Sequence, residues 1–234
     1  LDTAFQESLV DRPDGDVFVH ALVSRVVHLL APPPDELRAA AVRVLNEVMP
    51  AAEDIRNHAA LADWLPHAEE VTAGAEDEAT LWLLGWLWRY DDVRGNYAAA
   101  AALGRRCWDG RCRVLGAEHL DTLTAMNNLA NTLRAQGDHA GARALHEQVL
   151  SLLRRVLGED HPNTITALGN LAVMVAALGD IPAARTLVDE AVARSRATLG
   201  DGHPTTQSLL AFSRKLAGKQ GLVGRLLSWL GLGR

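Results

Sequence analysis

The sequence is short of cysteine, lysine and basic excess, and each shortage excludes something. Two cysteines in 234 residues cannot form a disulfide scaffold. Cys107 and Cys112 lie five apart in a predicted helix and face different sides, so they are read as reduced thiols of a cytoplasmic chain. Lysine occurs only at Lys215 and Lys219. Lys and Arg together number 23 against 29 Asp and Glu, for a net charge of −6. Residues 1–76 hold 5 Arg against 14 acids, and residues 77–234 hold 18 basic residues against 15. Those parts net −9 and +3. Neither carries the excess that neutralising phosphates requires, so no nucleic-acid partner is expected. No apolar run reaches the roughly 18 residues of a membrane span, and no stable membrane insertion is expected. The first residue is Leu1, with no signal-peptide pattern after it, so the chain reads as a piece of a longer protein.

Chemical motifs are also missing. A phosphate loop needs Gly-x-x-x-x-Gly-Lys-Ser/Thr, and Gly218–Lys219–Gln220 lacks the earlier glycine and the hydroxyl. Gly221 and Gly224 read as linker punctuation. No Gly-x-Ser-x-Gly elbow or Cys–His arrangement supports nucleophilic catalysis. Asp91 and Asp92 are expected at a helix end, where solvation explains them. His58, His67, His139 and His146 show no shared ligand spacing. No catalytic residue, metal or cofactor is expected, and the chain is read as not an enzyme.

What the sequence does have is a repeat. His119, His161 and His203 stand 42 residues apart, as do Gly116, Gly158 and Gly200, and Thr122, Thr164 and Thr206. Aligning 116–157 with 158–199 gives 16 identities in 42 positions, where chance gives about three. A worn copy precedes them, with Leu87, Gly95 and Ala100 in register, and a half copy follows at 204–217. Each unit reads as two helices. First helices are predicted over 122–136 and 164–178, and second helices end at Leu157 and Leu199. Gly137–Asp138 and Gly179–Asp180 lie between them, as helix stop and next cap. One such pair cannot bury its apolar face alone, so units must stack. The three in-register histidines cannot share one ion, because adjacent helices pack roughly 8–10 Å apart. They are read as hydrogen-bonding groups at the inter-unit turn.

The 42-residue spacing and the words NNLANTLRAQGDHAGA and LGEDHPNT resemble tetratricopeptide repeats of the long, kinesin-light-chain-like type over residues 78–217. The resemblance implies a mainly α fold, a right-handed α-α superhelix. Its units are expected at about 78–115, 120–157 and 162–199, with a half repeat at 204–217. It also implies that first helices line a concave groove for a protein or peptide ligand. Thr124, Asn127, Asn131 and Arg134 are placed on that face, with Asn128 and Asn170 at its edge. Thr166 and Val173 follow in the next unit, Trp82 and Trp88 precede, and Lys215 comes after. An asparagine amide offers both donor and acceptor to a peptide backbone. Packing of the first unit against residues 57–73 is the competing reading for Trp82, Trp86 and Trp88. Gly169 and Val173 make the second copy less polar.

Residues 1–76 do not repeat. ESLVDR and DVFVHA around Pro13–Gly15 predict a hairpin over 6–20. Ala21–Leu30 and Glu36–Val48 predict helices, the latter capped by Asp35. A third runs from about Ile55 or Asn57 to Ala73, broken near Pro66. VFVHALVSRVV and WLPHAEE resemble the segment that joins a winged helix to tetratricopeptide repeats in bacterial STAND (NB-ARC-like) signal-transduction NTPases. That resemblance implies a winged-helix-like remnant at 1–50 and a connecting segment at 51–76. It further implies contact with an upstream NTPase, for which the repeats act as sensor and regulatory arm. A free-standing scaffold, or the C-terminal part of a bacterial transcriptional regulator, remains the alternative. Residues 218–234 are expected to form an amphipathic tail helix, with Leu222, Leu226, Leu227, Trp229 and Leu230 on one face. It either caps the last repeat or contacts a partner. Exposed first and last units also allow self-association.

Overall fold

The computed structural model describes residues 35–49, 54–62, 64–74 and 77–229. The hairpin expected over 6–20 and the helix expected over 21–30 lie outside them. Among the described residues there are ten α-helices and no strand. The chain divides into two compact units at Gly116.

Unit 1 contains α1 (Asp35–Val48), α2 (His58–Leu61), α3 (Leu65–Thr72), α4 (Glu78–Val93) and α5 (Tyr97–Val114). A short 3-10 turn, Ile55–Asn57, leads into α2. The break expected near Pro66 falls between α2 and α3. Pro66 stands in the first turn of α3, where its missing N–H is no loss. Val42, Leu45, Met49, Leu61, Val71, Leu83, Leu87 and Tyr90 form one buried cluster. Arg38 of α1 donates to the Val71 and Gly74 carbonyls at 3.0 Å, and Arg106 of α5 donates to the Thr72 carbonyl at 2.8 Å. Two guanidinium groups thus satisfy the open carbonyl end of α3.

Unit 2 contains α6 (Leu120–Gln136), α7 (His139–Leu157), α8 (Pro162–Ala177), α9 (Ile181–Leu199) and α10 (Pro204–Trp229). Each helix packs on the next in chain order. Leu123, Met126, Leu129, Val149, Ile165, Leu168, Met174 and Val188 are almost fully buried between them. The fold class is that of stacked helix pairs, as the repeat demands.

The repeat histidines explain the helix starts. His119 Nδ1 accepts from the Asp121 N–H at 3.2 Å, His161 Nδ1 from the Asn163 N–H at 3.1 Å, and His203 Nδ1 from the Thr205 N–H at 3.2 Å. Each imidazole caps the start of the helix that follows it. First helices consequently begin at Leu120 and Pro162, two residues before the expected Thr122 and Thr164. In the worn copy the same register position is Asp77. Its Oδ1 accepts from the Thr80 N–H at 2.8 Å, within a capping box. The repeated spacing therefore carries a cap whose chemistry changes from carboxylate to imidazole.

The turns inside each pair follow the sequence. Gly137 adopts φ +94° and Gly179 φ +91°, a left-handed conformation that glycine reaches without Cβ strain. The reversed chain brings the Asp138 N–H to the Leu133 carbonyl at 2.9 Å and the Asp180 N–H to the Val175 carbonyl at 3.2 Å. The aspartates then cap α7 and α9 through Gly141 and Ala183 N–H groups. On the outer side, Arg194 meets Glu190, Asp160 and Glu159, while Arg154 meets Glu159 and Glu190. Helix α10 runs without a break from the half repeat into the residues expected as a separate tail. Gly221 and Gly224 are helical, not linker punctuation.

Candidate functional site

Alternate exposure along α6 puts one set of side chains in the core and another outside. Leu123, Met126, Leu129 and Leu133 are buried. Thr124 and Asn128 are exposed, and Asn127, Asn131 and Arg134 are half-buried. On α8, Thr166 is exposed and Asn170 and Val173 are half-buried. Lys215 is exposed on α10.

The structure brings part of this set together. Asn170 Nδ2 donates to Asn127 Oδ1 at 3.0 Å, linking α6 to α8. The Asn127 amide keeps its N–H groups and Asn170 keeps its carbonyl for other partners. Beside this pair a cleft of about 190 Å³ opens. Thr124 and Asn127 of α6 line one wall, and Asn163, Thr166 and Ala167 of α8 the other. Val149 and Leu153 of α7 close the floor, and Leu120 and Leu123 one end. Asn128, Asn131, Arg134, Asn170 and Lys215 are not among the lining residues. The cleft has neither an ionisable side chain nor a nucleophile with a base. It can offer amide and hydroxyl hydrogen bonds over an apolar floor.

The tryptophans stand in unit 1 and differ from one another. Trp88 is buried at 6% exposure and presents no open face. Trp86 packs partly buried on the unit 1 core. Trp82 is 47% exposed, with the Arg111 guanidinium carbon 5.3 Å from its ring centroid. Packing accounts for Trp86 and Trp88, whereas Trp82 keeps an exposed ring on a cation.

Other candidate chemistry is sparse. No group of three His, Cys, Asp or Glu among the described residues is arranged to hold a metal. No helix among them is long and apolar enough to cross a membrane. Cys107 is buried and Cys112 half-buried, both unbonded to another cysteine. Burial pushes both thiols above their usual range, which opposes nucleophilic use. Sequence reasoning gives His146 no role, yet its surroundings set it apart. It is 1% exposed, and neither ring nitrogen has a hydrogen-bond partner. Desolvation, helped by the nearby Arg134 charge, lowers its pKa to about 4. The signal lies in the repeat alignment, because the next copy has Val188 at that position.

Residues 92–155 and 121–197 match the family model of the tetratricopeptide repeat. The fold is similar to crystallised, nearly identical TPR-like repeats of the kinesin-light-chain type from Podosopora anserina. Identity is 23%, coverage is 80% of this chain and 92% of that one, and the TM-score is 0.62. A point variant of the same repeats gives 0.63 at the same identity and coverage. BtubC (BKLC) from P. vanneervenii is 15% identical over 86% of this chain and 91% of that one, with a TM-score of 0.56. At these identities the likeness is one of fold. No curated protein matches the chain in sequence. Residues 92–197 thus match tetratricopeptide repeats, a repeat class that generally mediates protein–protein interaction.

Proposed function

We propose that the chain is a non-catalytic recognition module that binds an extended peptide along α6 and α8. The observation that carries this reading is the Asn127–Asn170 amide pair beside the open cleft. A donor and an acceptor left facing outward suit one peptide unit of a ligand main chain. Thr124 and Thr166 add hydroxyls at the walls. Asn128, Asn131, Arg134 and Lys215 would meet the ligand beyond the cleft.

The wider role we infer is the sensor arm of a STAND-type signalling NTPase in a bacterial cytoplasm. Its support is the resemblance of residues 5–76 to the segment between winged helix and repeats in those proteins. Ligand capture by the repeats would then alter their contact with the NTPase. A scaffold that only bridges partners shares the groove but requires no NTPase.

The test is a pulldown with this chain as bait against an Asn127→Ala, Asn131→Ala, Arg134→Ala variant. A partner lost by a folded variant supports groove recognition. A partner retained equally by both places recognition elsewhere and contradicts it.

A further inference from the structure

The two slots between successive first helices of unit 2 are unequal, and one repeat position accounts for the difference. Ala167 lines the slot between α6 and α8. One period later the same position is Leu209 on α10. Leu209 is buried at 7% exposure. It lies over Gly169, where an added Cβ would sit 2.7 Å from Leu209 Cδ2. Gly169 holds the register position of Asn127, so the polar wall of one slot becomes the seat of a leucine in the next.

The floors differ in step. Beneath the second slot, Ser195 and Thr206 are fully buried and share a hydrogen bond at 2.6 Å. In the first slot those positions are Leu153 and Thr164, and the Thr164 hydroxyl is buried with no partner. The first interval therefore has an apolar floor under a short Ala167 wall and stays open. Leu209 and the Ser195–Thr206 pair close the second. The open volume, about 190 Å³, equals that of about six waters in the liquid. It also suits one aliphatic side chain. With no ionisable group in the lining, a charged side chain entering it would lose hydration and meet no opposite charge to offset the loss.

We propose that Ala167 and Leu209 set the register and specificity of the groove. The ligand is an extended peptide whose single uncharged aliphatic side chain enters only between α6 and α8. The proposal rests on the peptide-binding reading above and narrows it.

The test uses N-acetyl-leucine-N-methylamide as probe, with its glycine and aspartate analogues as controls, followed by backbone amide NMR of the whole chain. The leucine probe is expected to shift amides around Asn127 and Ala167, roughly fivefold more than either control at equal concentration, as a site selective for apolar side chains requires. Ala167→Leu, and the milder Ala167→Val, fill the slot and are expected to abolish those shifts while the circular dichroism melt is kept. Leu209→Ala should add a second set of shifts around Gly169. Equal shifts from the leucine and aspartate probes would overturn the proposal. So would shifts that survive a folded Ala167→Val but vanish in Asn127→Ala, an outcome that leaves the groove itself standing. No shift anywhere on α6 or α8 in the parent chain would remove both readings.

Discussion

Asn127 and Asn170 meet side chain to side chain across two helices, with Asn170 Nδ2 at 3.0 Å from Asn127 Oδ1. The residues are 43 apart, one more than the repeat period. They therefore occupy neighbouring register positions, not equivalent ones. The equivalent of Asn127 is Gly169, and the equivalent of Asn170 on α6 is Asn128. The hydrogen bond fixes how the two amides present their remaining groups. It is half-exposed, so it contributes no more than about 1 kcal/mol to stability. Its greater effect is orientation.

The imidazole caps predict a local stability effect. Replacing His161 by alanine removes the acceptor for the Asn163 N–H. The expected cost is about 1 kcal/mol. His161→Asn keeps an acceptor at the cap and should recover most of it. Urea unfolding of the three proteins checks the order.

His146 predicts an acid weakness. Its folded-state pKa is lowered to about 4, and the ordinary value is 6.5. The unfolded chain therefore binds a proton before the folded chain does. The stability associated with a neutral His146 is complete above pH 6.5, falls as pH drops toward 4, and levels off below. The full loss is about 3 kcal/mol. No charged residue of α8 offsets the imidazolium, because α8 contains none. His146→Val copies Val188 of the next unit. It should flatten the urea midpoint between about pH 7 and 4.5 and raise it at the acid end. An unchanged slope would show that His146 does not carry the effect.

Arg38 predicts a weakness in unit 1. Its guanidinium holds the Val71 and Gly74 carbonyls at the end of α3. Arg38→Ala should destabilise unit 1 by about 1–2 kcal/mol through lost charge-assisted bonds. Arg38→Lys should not restore it, because one ammonium lacks the planar fork. Tryptophan fluorescence during urea unfolding reads this unit, where Trp64, Trp82, Trp86, Trp88 and Trp108 lie.

Periodicity makes the helix pairs of residues 78–217 legible, since stacking forces the same small and apolar residues into the same register. Gly137–Asp138 and Gly179–Asp180 mark their own turns. The helix starts are harder to place because histidine is a rare cap, and threonine, three residues inward, is a commoner one. Thr122 and Thr164 are instead buried within the first turn. The Asp77 cap of the worn copy is hidden because its residue type differs from that of the later copies. The exposed face of α6 follows from helical counting. Two features of the site do not. The Asn127–Asn170 bond joins different register positions, and the closed slot depends on Leu209 meeting a glycine on another helix. Both are pairwise facts between helices, which a single repeat profile does not contain. The burial of Trp88 likewise depends on the helices packed against α4.

The most direct measurement selects peptides from a random library on the intact chain, then compares their affinity for that chain and for Asn127→Ala/Asn170→Ala. Loss of two hydrogen bonds to a ligand main chain, about 1–3 kcal/mol together, corresponds to a roughly 5- to 150-fold weaker Kd. Recognition by the α6–α8 groove predicts a loss in that range with the circular dichroism melt shifted by only a few degrees. Peptides that bind both proteins equally would contradict it, and recognition by the α6–α8 groove would be abandoned.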